Sequence, residues 1–229
     1  MEDLQNRINT VKQEVYDILT SIGKSKEDCL ILGASKTMSK EVSDFVFDNN
    51  LLDVLGENRV QELLDKYEKG KGKWHFIGRL QTNKVKYIID KVELIHSLDR
   101  LSLAEEIDKC AKKNNIICNC LIELNIGKEE SKGGIFVEDI ASFIKLIENY
   151  PNIQILGLMA VFPVDMPENE LIDNYKNLHN VFENCKKINS ANCKMQFLSA
   201  GMSNDYKLAI KYGGANIIRL GRAIFGERS

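Results

Sequence analysis

Short apolar runs alternate with amphipathic helical stretches along the chain, and this alternation restricts the folds that the chain can adopt. Eight apolar runs are predicted strands, and they cover residues 29–33, 52–55, 74–77, 92–96, 120–124, 153–156, 195–198 and 217–220. Each run except the last is followed by a helical pattern. A repeated strand-then-helix order requires a parallel sheet covered by helices, and it excludes a β-sandwich.

The number of repeats favours a closed barrel. Dividing 229 residues by eight strands gives about 28 residues per unit, which is compact for a parallel barrel. An open doubly wound sheet is the alternative, but no Gly-rich dinucleotide fingerprint follows the first strand. We predict an α/β protein with a single domain over residues 1–229. This domain is a parallel (β/α)8 TIM-type barrel over residues 28–226, preceded by an extra N-terminal helix within residues 1–24.

Composition and charge reduce the number of functions that this protein could have. The chain has 31 basic and 33 acidic residues, a net charge of −2, which argues against binding nucleic acid through a basic surface. No apolar run approaches the roughly 18 residues of a membrane span, and the amino terminus lacks the basic region of a signal peptide. We therefore expect a cytoplasmic protein with no nucleic-acid or membrane partner. The six cysteines have no metal-like spacing, so we expect buried free thiols and no metal.

Polar residues and glycines follow the predicted strands, at the end where parallel barrels carry their chemistry. Lys36 comes soon after the first strand. A lysine that is partly desolvated and close to other cations has a lowered pKa, which frees its amine for Schiff-base chemistry. The alternative is a lysine that simply extends into solvent.

Small and hydroxyl residues follow the last two strands. Ser199, Gly201 and Ser203 come after the seventh strand, and Gly221 comes after the eighth. Glycines let backbone N–H groups approach an anion, and a helix starting near Ser203 would add its positive dipole end. The alternative is an N-cap over residues 203–205 and a tight turn at Gly221. With Lys36 at one side of the rim and a phosphate site at the other, the pattern indicates a pyridoxal 5'-phosphate (PLP) site.

Arg219, near the end of the last strand, fits the same ligand. Its guanidinium is predicted to point into the barrel mouth, where a buried arginine needs an acceptor. The pyridine nitrogen of PLP is one such acceptor, and a permanently charged donor would keep that nitrogen unprotonated. The ring would then be a weak electron sink. The alternative is an ion pair between Arg219 and a rim carboxylate such as Glu57.

Taken together, these segments resemble the pyridoxal phosphate homeostasis protein family, whose fold is similar to the barrel domain of alanine racemase. The most specific of them reads Trp74-His75-Phe76-Ile77-Gly78-Arg79-Leu80-Gln81 and continues to Lys84. The matching segments are residues 34–37, 56–62, 74–84, 96–99, 131–134, 157–159, 198–203 and 219–226.

The resemblance implies a role for each candidate residue. Lys36 would form the Schiff base with PLP, Arg219 would face the pyridine nitrogen, and Asn58 would lie near the phenolic oxygen. The residues implied around the phosphate are Ser199, Gly201, Ser203, Gly221 and Arg222. Arg222 departs from relatives that have a threonine or serine there, so it offers a backbone N–H and a charge instead of a hydroxyl. Lys132 is a candidate secondary amine for the cofactor.

The expected function is that of a PLP-binding protein in intracellular PLP (vitamin B6) homeostasis. It would hold PLP on a lysine and yield it to apo PLP-dependent enzymes or free amino acids without robust catalysis. One alternative is an amino-acid racemase-like enzyme, which needs an acid/base group on each face of the substrate. In alanine racemase a tyrosine from a carboxyl-terminal domain supplies the second group, and this chain ends just after the eighth unit. A cofactor-free Schiff-base aldolase is the other alternative, and a monomer is favoured over a dimer.

Overall fold

The computed structural model describes residues 1–126 and 133–227, and within these ranges eight parallel strands close into a barrel in chain order. The predicted barrel is therefore confirmed. The strands are β1 Leu30–Ala34, β2 Val54–Glu57, β3 Lys73–Phe76, β4 Leu94–Leu98, β5 Cys118–Leu124, β6 Ile153–Ala160, β7 Cys193–Ser199 and β8 Ile217–Leu220.

Helices surround the sheet. The α-helices are α1 Glu2–Ser21, α2 Lys40–Asp48, α3 Val60–Lys66, α4 Val85–Ile88, α5 Leu101–Asn114, α6 Ile140–Ile147, α7 Glu168–Cys185, α8 Tyr206–Gly213 and α9 Arg222–Phe225. Short 3-10 helices cover Lys26–Asp28, Thr82–Lys84 and Val137–Asp139. No helix in the described ranges is long and apolar enough to cross a membrane.

Both faces of most barrel strands are buried, which explains why those strands read as continuous apolar runs. Strand β7 differs, because Lys194 and Gln196 in its first half are exposed. One core fills the space between the sheet and the helices. A smaller core fills the barrel interior, and its members are Leu32, Val54, Leu94, Leu121, Met159 and Ile217. Four polar side chains, those of His75, His96, Ser199 and Arg219, are also buried, and a chain of hydrogen bonds joins them.

The predicted N-terminal helix is confirmed as α1. Leu4, Ile8, Val11, Val15 and Leu19 form its buried face. The helix packs against α8 and α9. The side chain of Arg7 donates a hydrogen bond to the carbonyl of Ile224 at 2.7 Å, so the start of the chain is attached to its end.

Strand β6 is longer than predicted. The sequence pattern ends this strand at residue 156, but β6 continues through Gly157 to Ala160. Gly157 has a φ of +155°, and the register shifts there against both neighbouring strands. A Cβ at this position would lie 1.8 Å from the carbonyl oxygen of Phe197. Glycine therefore allows a bulge inside the strand where a strand end was predicted.

The cysteines are free thiols, as predicted, and all except the half-buried Cys193 are buried. Burial raises the pKa of Cys29 to about 12. It raises the pKa of Cys185 and of Cys193 to about 11. These three thiols therefore stay protonated near neutral pH, where they act as small apolar groups. No group of three or more potential metal ligands occurs in the described ranges.

Candidate functional site

A cavity of about 540 Å³ lies at the carboxyl ends of the strands. This volume is in the usual range for sites that bind small molecules. Six of the eight predicted site residues line it, namely Lys36, Asn58, Ser203, Arg219, Gly221 and Arg222. Ser199 and Gly201 lie behind this lining. The sequence pattern therefore locates the cavity and most of its polar wall.

Lys36 and the end of β8 come from neighbouring strands. Barrel closure pairs β1 with β8, and Gly33 lies beside Leu220 in their register. The expectation that Lys36 and Gly221 sit on opposite sides of the rim is therefore wrong. Closing the sheet joins its first and last strands, so the two ends of the barrel sequence meet at one site.

The turn that carries Lys36 is held by a buried ion pair. Lys66 donates to Glu57 Oε1 at 2.7 Å and to the carbonyl of Ser35 at 2.9 Å. The Ser35 hydroxyl donates to the same Glu57 oxygen at 2.7 Å. Glu57 and Ser35 are fully buried, and Lys66 is 5% exposed. Glu57 is thus the partner of Lys66, and the alternative that paired it with Arg219 is wrong.

The residue after Lys36 is in an unfavourable backbone conformation. Thr37 has a φ of +69°, a region that β-branched residues rarely adopt. Its N–H donates to Glu62 Oε2 at 2.7 Å, and the N–H of Met38 donates to the carbonyl of Ser35 at 3.0 Å. These contacts hold a turn that would otherwise relax. Lys36 is therefore presented by a rigid segment.

Backbone amides line the other part of the cavity. The N–H groups of Ser203, Asn204, Gly221 and Arg222 have no hydrogen-bond acceptor among the described residues. Gly201 precedes them with a φ of +91°, and a Cβ there would lie 2.6 Å from Ala209 Cβ. Glycine thus lets the loop approach α8. Four donors at one end of a cavity fit an anionic group such as a phosphate.

Two contacts fasten the loops after β7 and β8 to each other. The Ser203 hydroxyl accepts a hydrogen bond from the N–H of Ala223 at 3.1 Å. The Arg222 guanidinium donates to Asn204 Oδ1 at 2.8 Å. Arg222 therefore helps to hold the amide donors together through its side chain.

Helix α8 begins at Tyr206, and Asp205 occupies its N-cap position, so the helix starts later than the predicted Ser203. The Asp205 carboxylate accepts from the N–H of Met202 at 2.6 Å and from the Tyr175 hydroxyl at 2.7 Å. Burial and the Asp205 charge raise the pKa of Tyr175 above its ordinary value. Asp205 and Tyr175 together therefore hold the loop after β7 in place.

Arg219 is buried and borders the cavity, as predicted. Its Nη1 donates to Ser199 Oγ at 2.6 Å and its Nη2 donates to the carbonyl of Ala160 at 2.9 Å. Burial lowers the pKa of Arg219, and the nearby Tyr175, Asp205 and Glu123 oppose this shift. Both of these acceptors are neutral oxygens, so they leave the positive charge of the guanidinium uncompensated beside the cavity.

Two histidines that sequence analysis did not single out extend this contact through the barrel interior. His96 Nδ1 lies 3.0 Å from Ser199 Oγ, and His96 Nε2 lies 3.0 Å from His75 Nδ1. Burial lowers the pKa of His75 to about 3, and burial with the nearby His75 and Arg219 lowers the pKa of His96 well below its ordinary value. Both rings are therefore neutral at physiological pH. His75 also lines a second cavity, at the amino-terminal ends of the strands.

These neutral histidines predict a loss of stability in mild acid. The unfolded chain binds protons on them below a pKa near 6.5, whereas folded His75 binds one only near pH 3. The unfolded state is therefore favoured as pH falls from 6.5, by up to about 1.4 kcal/mol per pH unit for each histidine. Urea unfolding between pH 7.5 and 5 measures this slope.

The variant His96→Asn should show a clearly shallower slope than the wild-type protein, because it lacks one of the two buried neutral rings. Equal slopes in the two proteins would contradict the buried neutral state.

The apolar wall of the cavity was not predicted. It comes from the segment after β6 and includes Val161, Phe162, Pro163, Val164 and Met166. Val161 and Val164 remain 49% and 68% exposed. The misplaced end of β6 explains the omission, because this segment reaches the rim only through the longer strand. Lys132, the candidate secondary amine, lies outside the described residues.

The parallel barrel, the lysine after its first strand and the backbone amides after its last two strands place the protein in the class of alanine racemase-like barrels. The sequence profile described as alanine racemase, N-terminal domain, matches residues 46–229. The chain belongs to the pyridoxal phosphate homeostasis protein family within this class. A "Pyridoxal phosphate homeostasis protein" from Aquifex aeolicus (strain VF5) is 44% identical over 226 residues, which are 97% of either chain.

Another relative and two solved structures are also similar to this chain over most of its length. A protein of the same name from Haemophilus influenzae is 33% identical over 99% of this chain and 97% of its own. The structure of PipY from Synechococcus elongatus PCC7942 with PLP bound has a TM-score of 0.80 at 24% identity, over 93% of this chain and 100% of that one. The alanine racemase of Clostridium difficile 630 has a TM-score of 0.77 at 15% identity, over 100% of this chain and 60% of that one. At these identities the two structures show the fold alone.

Proposed function

We propose that this protein binds PLP in the cavity at the carboxyl ends of its strands and takes part in PLP homeostasis. The names of its relatives and the PLP-bound structure of PipY support this assignment. The observation that carries it is the presence, in one cavity, of a lysine on a rigid turn and four backbone amides without acceptors among the residues that the structure describes. PLP offers an aldehyde for the amine and a phosphate for the amides.

Each cavity residue has a role in this proposal. The aldehyde of PLP would condense with the Lys36 amine with loss of water, giving a Schiff base on this lysine. The N–H groups of Ser203, Gly221 and Arg222 would bind the phosphate, and Asn58 would lie near the phenolic oxygen. Gly201 allows the approach of the loop. We assign the Ser199 hydroxyl to Arg219 rather than to the phosphate, because it already accepts from that guanidinium.

We propose a carrier rather than an enzyme with robust turnover. Arg219 would face the ring nitrogen and keep it unprotonated, which weakens the ring as an electron sink. Neither histidine nor tyrosine occurs among the described residues that line the cavity. The recipients would be apo PLP-dependent enzymes or free amino acids, and a monomer remains our prediction.

The likeness to alanine racemase keeps a racemase-like activity as the second candidate. Racemisation exchanges the α-hydrogen of an amino acid with solvent. We expect only weak exchange when the PLP-loaded protein is followed by NMR with amino acids in D2O. Exchange at enzymatic rates that is lost in Lys36→Ala would favour the racemase.

The Schiff base is tested by trapping. We expect the purified, PLP-loaded protein to be yellow, and borohydride reduction to attach one pyridoxyl group to the peptide that contains Lys36. The variant Lys36→Ala should lose the visible band and the modification. Lys40→Ala is the matched control, because Lys40 contacts Asp44 and Glu68 at the surface and should leave both signals intact. A colourless wild-type protein without modified Lys36 would refute the assignment.

A further inference from the structure

The buried hydrogen bonds that connect Arg219 to His75 all run in one direction, because each residue in the series donates to the next. Arg219 can only donate, so Ser199 Oγ is an acceptor in their 2.6 Å contact. The hydroxyl hydrogen of Ser199 needs an acceptor of its own, and the one within reach among the described residues is His96 Nδ1 at 3.0 Å. His96 therefore carries its proton on Nε2 and donates it to His75 Nδ1 at 3.0 Å. The charged end of the chain thus sets the tautomers of both rings.

The direction of these hydrogen bonds affects how Arg219 is oriented. Among the described residues the guanidinium donates to two acceptors, Ser199 Oγ and the carbonyl of Ala160, and they lie on different strands. The Ser199 hydroxyl stays in the orientation that accepts from Arg219 only while His96 accepts the hydrogen of that hydroxyl. If His96 presented an N–H to Ser199, or presented nothing, the hydroxyl hydrogen could turn toward Arg219 and oppose its donation. The orientation of Arg219 beside the cavity therefore depends on a ring that does not line it.

We propose that His96, supported by His75, is a positioning residue that acts through Ser199 to hold the Arg219 guanidinium toward the ring nitrogen of bound PLP. This inference rests on the proposed function and assigns two residues that the family resemblance does not. The interior of a packed barrel otherwise contains branched apolar side chains, as in the rest of this one. Two histidines in hydrogen-bonded contact with a cavity arginine are therefore a costly choice unless they act on it.

Two substitutions at one position separate positioning from packing. His96→Leu has a similar volume but offers no acceptor to Ser199. His96→Asn is smaller, yet its amide oxygen can replace Nδ1 as the acceptor. For each PLP-loaded protein we would measure the visible absorption maximum and the dissociation constant for PLP. Thermal unfolding of the apo-proteins would follow.

We expect His96→Leu to shift the absorption maximum and to bind PLP roughly tenfold more weakly, because one hydrogen bond to a charged group is lost. His96→Asn should keep the wild-type maximum and stay within about twofold of the wild-type dissociation constant. If both variants unfold at lower temperature but keep the wild-type maximum and affinity, the histidine is only structural and the inference is wrong. The order expected from packing alone, with Asn more affected than Leu, would also overturn it.

A third variant covers a failure of His96→Leu to fold. Ser199→Ala removes one oxygen atom and breaks the same chain between His96 and Arg219. It should reproduce the spectral shift and the weaker binding, and an unchanged maximum would refute the inference. Failure of the proposed function looks different, because the wild-type protein itself would then neither bind PLP nor show a visible band.

Discussion

Replacing Lys66 by methionine should lower the free energy of unfolding by about 3–5 kcal/mol, because it leaves a buried carboxylate without its cation. Lys66 and Glu57 form their 2.7 Å ion pair almost out of contact with water. The second oxygen of that carboxylate, Glu57 Oε2, has no hydrogen-bond partner within the described residues. Glu57 therefore depends on Lys66 and on the Ser35 hydroxyl. Urea unfolding at pH 7.5 measures the loss.

A surface pair provides the control. Lys40 contacts Asp44 at 2.8 Å with more than a third of its side chain exposed, so Lys40→Met should have a much smaller effect on the free energy of unfolding than Lys66→Met. The double variant Lys66→Met/Glu57→Gln should recover part of the loss, since no buried charge remains unpaired. A Lys66→Met protein as stable as Lys40→Met would show that the buried pair contributes little.

The second large effect is expected at Gly157. Alanine there would bring its Cβ to 1.8 Å from the carbonyl oxygen of Phe197, and φ at this position is +155°. The neighbouring atom belongs to the backbone of β7, so it cannot move without breaking the sheet. Backbone strain of about 1–2 kcal/mol and crowding of about 1–3 kcal/mol combine to an expected loss of about 2–5 kcal/mol. Chemical denaturation provides the comparison with the wild-type protein.

Gly23 is the matched control for conformation without crowding. It has a φ of +72°, and a Cβ there would meet no atom within 4 Å. Gly23→Ala should therefore cost only the backbone term, about 1 kcal/mol. Similar losses for the two alanine variants would mean that β6 and β7 separate easily at the bulge.

Most of the fold could be predicted from the sequence, because apolar residues recur with different periods in strands and in helices. All eight strands lie within a few residues of their predicted positions. The error in β6 has a specific cause. A glycine inside an apolar run resembles a strand end, and only the approach of the Phe197 carbonyl shows that it is a bulge.

The site was less predictable where contacts span several strands. Lys36 and the glycines come soon after apolar strands and Arg219 lies near the end of one, so their positions at the rim could be predicted. Lys66 follows Leu63 at helical spacing and could be recognised as facing inward, but nothing local identifies Glu57 as its partner. The contact between His96 and Ser199 joins residues 103 positions apart, and it exists only once the barrel closes.

The pairing of the first barrel strand with the last has a consequence for biosynthesis. Lys36 follows the first barrel strand, whereas Arg219, Gly221 and Arg222 belong to the last strand and the segment directly after it, and the β1–β8 register brings these residues together. A ribosome must therefore release β8 before this cavity can form. If the proposed function is right, a polypeptide cut short before β8 would lack Arg219, Gly221 and Arg222 and would bind PLP more weakly, so PLP binding would depend on synthesis having passed the last strand.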